Sequence, residues 1–350
     1  MITARADAIE MVDITKLSEA EWHEWRRKGI GGSDLAAIMG VSPWATARDI
    51  YRKKKGIVGA LEAEADRKNW VAKKVGHLLE PLVAEIFEVQ TKHKPYAVRK
   101  MFAHPDYPYM LANVDYFITL PDGRTAILEC KTSSSHAKEK WDDGAVPFNY
   151  ELQVRHYMSV MNVDVAFIAC LYGNNESDFV WRRIERDMDF EADIIAVEEN
   201  FWMNHVLTNV EPAYTESGDL VLQSIRNFYG NADEEAGAVV LPSNMTDALL
   251  EFEYLKAEKS KANKVVKALE SKIAKVQAVF VEGIGASCKA TCSRDDVEFV
   301  ISYNPVFQDN VDKEGLKAHH PDIYAKYVTK SEKYRLLNVK RVDKTKEAAA

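Results

Sequence analysis

One turn constrains this chain more than any other feature. LPDGR at 120–124 joins two runs rich in β-branched and aromatic residues, 109–120 and 125–131. A Pro-Asp-Gly turn between such runs predicts an antiparallel hairpin. The second strand, ILECKTS at 127–133, sets an acid and a lysine in an otherwise apolar stretch. Side chains alternate along a strand, so Glu129 and Lys131 share one face while Leu128 and Cys130 share the other. Cys130 is therefore expected to be an inert core thiol. With the turn centred near Asp122, residues whose numbers sum to about 244 pair across the hairpin, which places Asp115 opposite Glu129. Opposed residues on one face have Cβ atoms about 5 Å apart, close enough for both carboxylates to bind one hard cation. Without a cation the two would repel. Mg²⁺ favours one or two carboxylates and fills its remaining positions with water and phosphate oxygens. Lys131 beside it can stabilise charge on an attacked phosphate and help to orient or deprotonate a water. A Glu-x-Lys on a strand is common by itself, and the cross-strand acid is what makes this one informative.

The rest of the chain supplies elements for such a sheet to pack against. LSEAEWHEWRR at 17–27 predicts a helix opened by a Ser-x-x-Glu capping box at Ser18 and Glu21. GIGGSD at 29–34 precedes a short apolar helix, where Asp34 reads as an N-cap. A helix over 67–90 is expected to kink or restart near Glu80, because Pro81 lacks the backbone donor. Strands are expected at 96–103, 163–172 and 178–185, with a helix at 148–161. A further helix from about Asp189 carries Phe190, Ile194, Val197 and Phe201 on one face. This is an α/β sandwich, a mixed sheet flanked by helices. Residues 211–245 read as a connector with at most a short helix. In 246–284 apolar or small residues recur at a 4-3 spacing broken only by Lys259, the seam of a long helix that packs on a partner helix. Residues 285–346 are expected to form a small α+β subdomain, with strands at 296–303 and 334–342 around a helix containing 322–327.

Composition narrows the class. With 47% hydrophobic and 29% charged residues in 350, the chain is long enough for a real core and has no disordered bias. No apolar run approaches the ~20 residues of a membrane span, and the N-terminus has no hydrophobic signal core, so an intracellular protein with no membrane contact is expected. Four cysteines are too few and too irregular for a disulfide framework and read as reduced thiols. The net charge of −8 hides an uneven distribution: 256–275 holds seven lysines against two acids, whereas 181–200 holds seven acids against three arginines. An acidic protein can still handle nucleic acid if its basic residues line the contact.

Asp115 followed by Glu129-Cys130-Lys131 after a hairpin resembles the PD-(D/E)xK nuclease core, a restriction-endonuclease-like fold. More narrowly the chain resembles the YqaJ-like viral recombinase nucleases, relatives of the phage lambda exonuclease, over roughly 20–205. RRKGIGGSDLAAIMGVSPW at 26–44 is the most specific part. GHLLEP at 76–81, HPDYPYMLANVDYF at 104–117, ELQVRHYM at 151–158 and IERDMDFEADIIAVEENFW at 184–202 follow in the family's order. The family often has Pro-Asp-Gly at its first metal carboxylate; NVDY at 113–116 keeps the ligand and removes the glycine's backbone freedom.

The resemblance implies a nuclease domain over 14–210, with Asp115 and Glu129 as principal metal ligands for Mg²⁺ or Mn²⁺. Glu80 on a helix and the backbone carbonyl of Cys130 would complete the site, and Lys131 would be the catalytic lysine. Gln153 and Tyr157, i and i+4 on one helix face, would support it. Ser33 with Arg26 or Arg27 would hold a 5′-terminal phosphate, for which a glycine-rich helix start and a bidentate arginine are suited. The implied activity is degradation of one strand of linear duplex DNA from its 5′ end, in a bacterial cytoplasm as a phage or prophage function. A single-strand annealing recombinase would receive the product, and relatives assemble as a ring of three. The alternatives are a restriction-type or structure-specific endonuclease, which shares the metal core, and a non-catalytic DNA-binding module, which would be expected to have lost a carboxylate or Lys131. An iron-sulfur variant is disfavoured, because Cys130 sits inside the strand and no four-cysteine set brackets the domain.

Overall fold

The LPDGR turn closes as the sequence requires. Gly123 adopts φ +86°, a left-handed conformation that glycine enters without penalty, and its amide donates to Leu120 O at 2.9 Å. Around that turn a computed structural model describes residues 7–61, 70–233, 235–294, 297–307 and 311–328. It divides into two compact units, Met1–Asn231 and Ala232–Ala350.

The first unit runs β1 (Ile9–Asp13), α1 (Glu19–Arg27), β2 (Ile30–Gly31), α2 (Gly32–Ile38), α3 (Ala47–Lys55) and α4 (Trp70–Thr91). The strands β3 (Pro95–Tyr96), β4 (Lys100–Ala103), β5 (Met110–Ala112), β6 (Tyr116–Thr119) and β7 (Thr125–Thr132) follow. Then come α5 (Phe148–Met161), β8 (Val165–Leu171), β9 (Phe179–Glu185), α6 (Met188–Phe201) and α7 (Gly218–Tyr229). The main sheet is ordered β3-β6-β7-β8-β9, and a second sheet β1-β4-β5-β2. β6 and β7 pair antiparallel in the predicted register, Tyr116 with Leu128 and Phe117 with Ile127. β7 and β8 pair parallel, which demands a crossover, and α5 supplies it.

The pleat sorts the core into two layers. Ile127, Ala166, Ile168 and Cys170 face one way and pack with Leu152, Val154 and Met158 of α5 and Leu35 of α2. Leu128, Val165, Phe167 and Ala169 face the other way and pack with Val83, Ala84 and Phe87 of α4. Cys130 packs against that second layer, and burial followed by its acidic neighbours pushes its thiol well up, so it stays protonated. The mixed α/β architecture expected from the sequence is present.

Several expected elements differ in detail. The run 96–103 divides into β3 and β4, and 109–120 into β5 and β6, each pair split between the two sheets. Apolar residues flank both breaks, and Val98 and Val114 stand within them, so the pattern could not reveal where the chain changes sheets. α4 continues through Pro81 as one helix instead of restarting, with its apolar face held on the main sheet. Asp34 is not an N-cap: Gly31 is, and Asp34, three residues on, accepts the Gly31 amide at 2.9 Å. The stretch 211–231, expected as connector, folds onto α3. Ser224 Oγ donates to Asp49 at 2.6 Å, Glu216 accepts the Ala47 amide at 2.7 Å, and Arg52 lies over the Phe228 ring.

In the second unit α8 (Thr246–Ile284) is a single helix of 39 residues. β10 (Lys289–Arg294) and β11 (Val297–Ser302) form an antiparallel hairpin, and α9 (Lys313–His319) and α10 (Pro321–Tyr327) follow. β10 was not anticipated, and the expected strand at 334–342 lies outside the described residues. Among the described residues no helix is long and apolar enough to cross a membrane.

A buried ion pair clamps α5 between α6 and β5. His156 Nδ1 lies 2.7 Å from Glu198 and Nε2 lies 2.9 Å from Leu111 O, with both side chains fully buried. Only the doubly protonated ring donates to both acceptors. Burial opposes that charge, yet the Glu198 carboxylate outweighs it and holds the imidazole above its ordinary value. The contribution is complete below about pH 6.5, the unfolded value, and is lost as pH rises through the folded one. The urea midpoint is expected to fall on the alkaline side, and His156→Phe to flatten that fall while costing roughly 3 to 5 kcal/mol through the stranded carboxylate. A midpoint independent of pH above neutrality would rule out the charged pair.

Candidate active site

The break between β5 and β6 is where the site begins. At 113–115 the chain leaves one sheet for the other, and Asp115 Oδ2 accepts the Cys130 amide at 2.9 Å. A side chain thus takes the place of a ladder acceptor and is fixed beside β7. Glu129 and Lys131 project from that strand toward α5, on the one face that the strand's pleat predicts. Lys131 Nζ donates to Glu129 Oε1 at 2.6 Å and to Gln153 Oε1 at 2.8 Å. Gln153 Nε2 donates to the same Glu129 oxygen at 2.6 Å and lies 3.3 Å from the Tyr157 hydroxyl. One amide therefore bridges the acid and the base, holding both rotamers. The Tyr150 ring lies 5.1 Å from the Lys131 ammonium, a cation–π contact that adds to this anchoring.

The electrostatics are those of charges crowded away from water. Asp115 is pushed well above the ordinary carboxylate range by burial and by the charges of Glu129 and Glu80. Burial also raises Glu129, against the pull of Lys131. Lys131 is raised: burial opposes its charge, but Glu129 and Asp115 favour it more. Tyr157 keeps its proton, because burial and the nearby Glu129 push its hydroxyl up. Glu129 is 3% exposed, and its Oε2 has no hydrogen-bond partner among the described residues. Such an orphan oxygen beside a second carboxylate is costly unless something positive meets both.

The donor set suits a hard divalent cation. Two carboxylates with free oxygen valence match the protein's share of an Mg²⁺ shell, the remainder falling to carbonyl, water and phosphate oxygens. Among the described residues no three His, Cys, Asp or Glu side chains converge into a ready-made cage. Glu80 is near enough to act on Asp115, but its carboxylate is tied to Arg99 at 3.3 Å.

The second cluster of candidates lies at the α1–α2 corner. Arg26 donates to Ser33 Oγ at 3.0 Å and reaches Asp34 at 3.4 Å. Arg27 does not join it; it pairs with Glu24 on its own helix. Two glycines allow this corner to pack. A Cβ at Gly31 would stand 2.8 Å from the Arg26 guanidinium, and one at Gly32 would stand 2.8 Å from the Tyr157 ring. GIGG therefore brings α2 against α5, so that Ser33, with Arg26 of α1 hydrogen-bonded to it, sits on the helix that packs on Gln153 and Tyr157.

Three residues here escaped sequence reasoning. Lys54 Nζ donates to Asp34 at 2.6 Å and to Arg26 O at 3.0 Å, with its side chain 4% exposed. It sits in RKKK at 52–55, which reads as a solvated basic helix end, so no local signal marks it. Arg99 and Tyr150 likewise gain meaning only from what the fold brings beside them. Asp34 is held well below the ordinary carboxylate range: burial opposes its charge, and Lys54 and Arg26 overcome it.

A mixed sheet with helices on both faces, and a carboxylate pair, a lysine and an amide gathered at a sheet break, define the class. The chain belongs to the YqaJ-like viral recombinase family. The family's domain matches residues 21–164, and the chain is 31% identical over 334 residues to YqaJ of Bacillus subtilis (strain 168), spanning 94% of this chain and 96% of that one. Among solved structures it is similar to the alkaline exonuclease LHK-Exo from Laribacter hongkongensis, 18% identical with a TM-score of 0.42, covering 55% of this chain and 94% of that one. A phage related exonuclease from Haemophilus somnus 129PT is 15% identical with a TM-score of 0.33, covering 54% of this chain and 99% of the other.

Lys54→Met is expected to destabilise the protein by on the order of 3 kcal/mol, since it leaves Asp34 buried with weaker compensation. Adding Asp34→Asn should recover more than half of that loss in urea unfolding. An additive double variant would show that the pair is not coupled.

Proposed function

We propose that the protein is a divalent-metal-dependent exodeoxyribonuclease. It degrades one strand of linear duplex DNA from a 5′-phosphorylated end, and the single strand left behind is passed to an annealing recombinase. The observation that carries this reading is the Glu129–Gln153–Lys131 network with Asp115 across the hairpin, in which Glu129 Oε2 is buried without a partner. A paired-carboxylate site with a fixed lysine is what phosphodiester hydrolysis needs. Membership of a viral recombinase family supports a role in recombination.

Asp115 and Glu129, with the Cys130 carbonyl, would hold Mg²⁺ or Mn²⁺, with Glu80 joining them on release from Arg99. The ion would supply Lewis-acid activation of a water and neutralise phosphate charge. The chain's own residues do the rest. Lys131, held by Glu129 and Gln153, presents a fixed cation to the attacked phosphate. Gln153 and Tyr157 keep Glu129 in its rotamer. Arg26 and Ser33, aimed by Asp34, would bind the terminal phosphate, the arginine in bidentate fashion.

Linear duplex DNA with a 5′-phosphate is expected to shorten in Mg²⁺, a 5′-hydroxyl end more slowly, and covalently closed circles not at all. Nicking of closed circles would replace the exonuclease by an endonuclease. Glu129→Gln and Lys131→Ala should each lower the rate by about 10²-fold or more. Arg26→Ala should lose the preference for phosphorylated ends while retaining cleavage. Mg²⁺ should also raise the melting temperature of the wild type and leave that of Glu129→Gln unchanged, a readout independent of turnover. Full activity in Lys131→Ala would remove the assigned site.

A further inference from the structure

The long helix α8 carries an apolar stripe that nothing described in its own unit covers. Its buried residue is Ile284 at the very end. Leu255, Val266, Leu269, Ile273 and Val276 are between 49% and 65% exposed. The stripe follows a strict heptad, the signature of a helix that coils on another helix. Phe252, Lys259, Val266, Ile273 and Phe280 occupy a positions, and Ala248, Leu255, Ala262, Leu269 and Val276 occupy d positions.

We propose that α8 pairs antiparallel with the α8 of a second copy of this chain, about a two-fold axis near Lys264. Three features of the stripe select that occupant and that direction. The first is size. An antiparallel pair sets each a residue against a d residue of the other copy, so Phe280 meets Ala248 and Val266 meets Ala262. Large faces small in these layers, which is how such a seam fills space. A parallel pair would stack Phe on Phe in two layers and Ala on Ala in two others.

The second feature is charge at the flanking positions, which in an antiparallel pair face their own kind. Glu258 then faces Lys272 of the other copy, and Lys256 faces Glu270. Each contact occurs twice by symmetry, and all are attractive. Glu258 makes a surface pair with Lys261 on its own helix at 2.7 Å, an exposed contact that trades at little cost. The parallel arrangement keeps one attractive contact, Glu251 with Lys256.

The third feature is Lys259, the one charge in the seam. Antiparallel pairing sets it against Leu269, over which its stem can lie with the ammonium in water. In-register parallel pairing would set it against its own copy. The other lysines argue against a polyanion in the seam, because Lys261, Lys264, Lys267 and Lys275 lie at outer positions. Val265, 61% exposed and off the seam, meets its own counterpart at the axis, which accounts for an apolar residue there.

The test uses the full chain in sedimentation equilibrium. An even number of copies is expected at micromolar concentration, two if α8 alone associates and six if the nuclease units also close a ring of three. Glu258→Lys should weaken the dimer roughly tenfold, since two attractions become repulsions. Adding Lys272→Glu should restore wild-type affinity. Circular dichroism confirms that both variants keep their helix content, and neither residue belongs to the proposed nuclease site. Restoration supports the antiparallel pair, because in a parallel pair positions 258 and 272 do not meet. A single copy, three copies, or a double variant no tighter than Glu258→Lys overturns it.

Discussion

The register of β6 against β7 is the constraint on which the rest depends. Shifting it by one residue would turn Glu129 and Lys131 into the layer packed by Phe87 and would aim Leu128 at α5. That alternative buries two charges without partners, and the LPDGR turn excludes it from one end. β8, buried along its whole length, excludes it from the other by pairing with β7 residue for residue. The strand that builds the core is therefore the strand that builds the site.

Buried charge recurs in this unit as a way of fixing helices. Glu129 and Lys131 hold α5 through Gln153, Asp34 holds α2 to α1 and α3 through Arg26 and Lys54, and Glu198 holds α6 to α5 through His156. Each cluster would be expensive without its full set of partners, so each defines one geometry where apolar contacts alone tolerate several. The clusters are neighbours: Gly32 packs on Tyr157, and the charges of Asp34 reach both His156 and Glu198. The corner proposed to bind phosphate and the carboxylate site are thus positioned by one connected frame.

Local sequence carried much of this. The capping box at Ser18 and Glu21 forms, α5 spans the expected residues, and Cys130 lies on the packed face. These follow from chemistry within a few residues of each other. The failures came from choices made elsewhere in the chain. Pro81 does not end α4: Val83, Ala84 and Phe87 just beyond it pack on the sheet beneath, and the helix runs on through them. Residues 218–229 form a helix that closes on α3, where Asp49 and Arg52 receive it.

The sequence by itself determined the hairpin, its register and the face on which Asp115, Glu129 and Lys131 meet, because turn chemistry and two-residue alternation are local. Which partners the charged residues around them take was decided only by the tertiary structure. Glu80 is drawn to Arg99, Arg26 is selected over Arg27, and Lys54 is buried out of a run of surface-like lysines. A charged side chain has no intrinsic preference for the interior, so its place there depends on the opposite charge that folding brings to it.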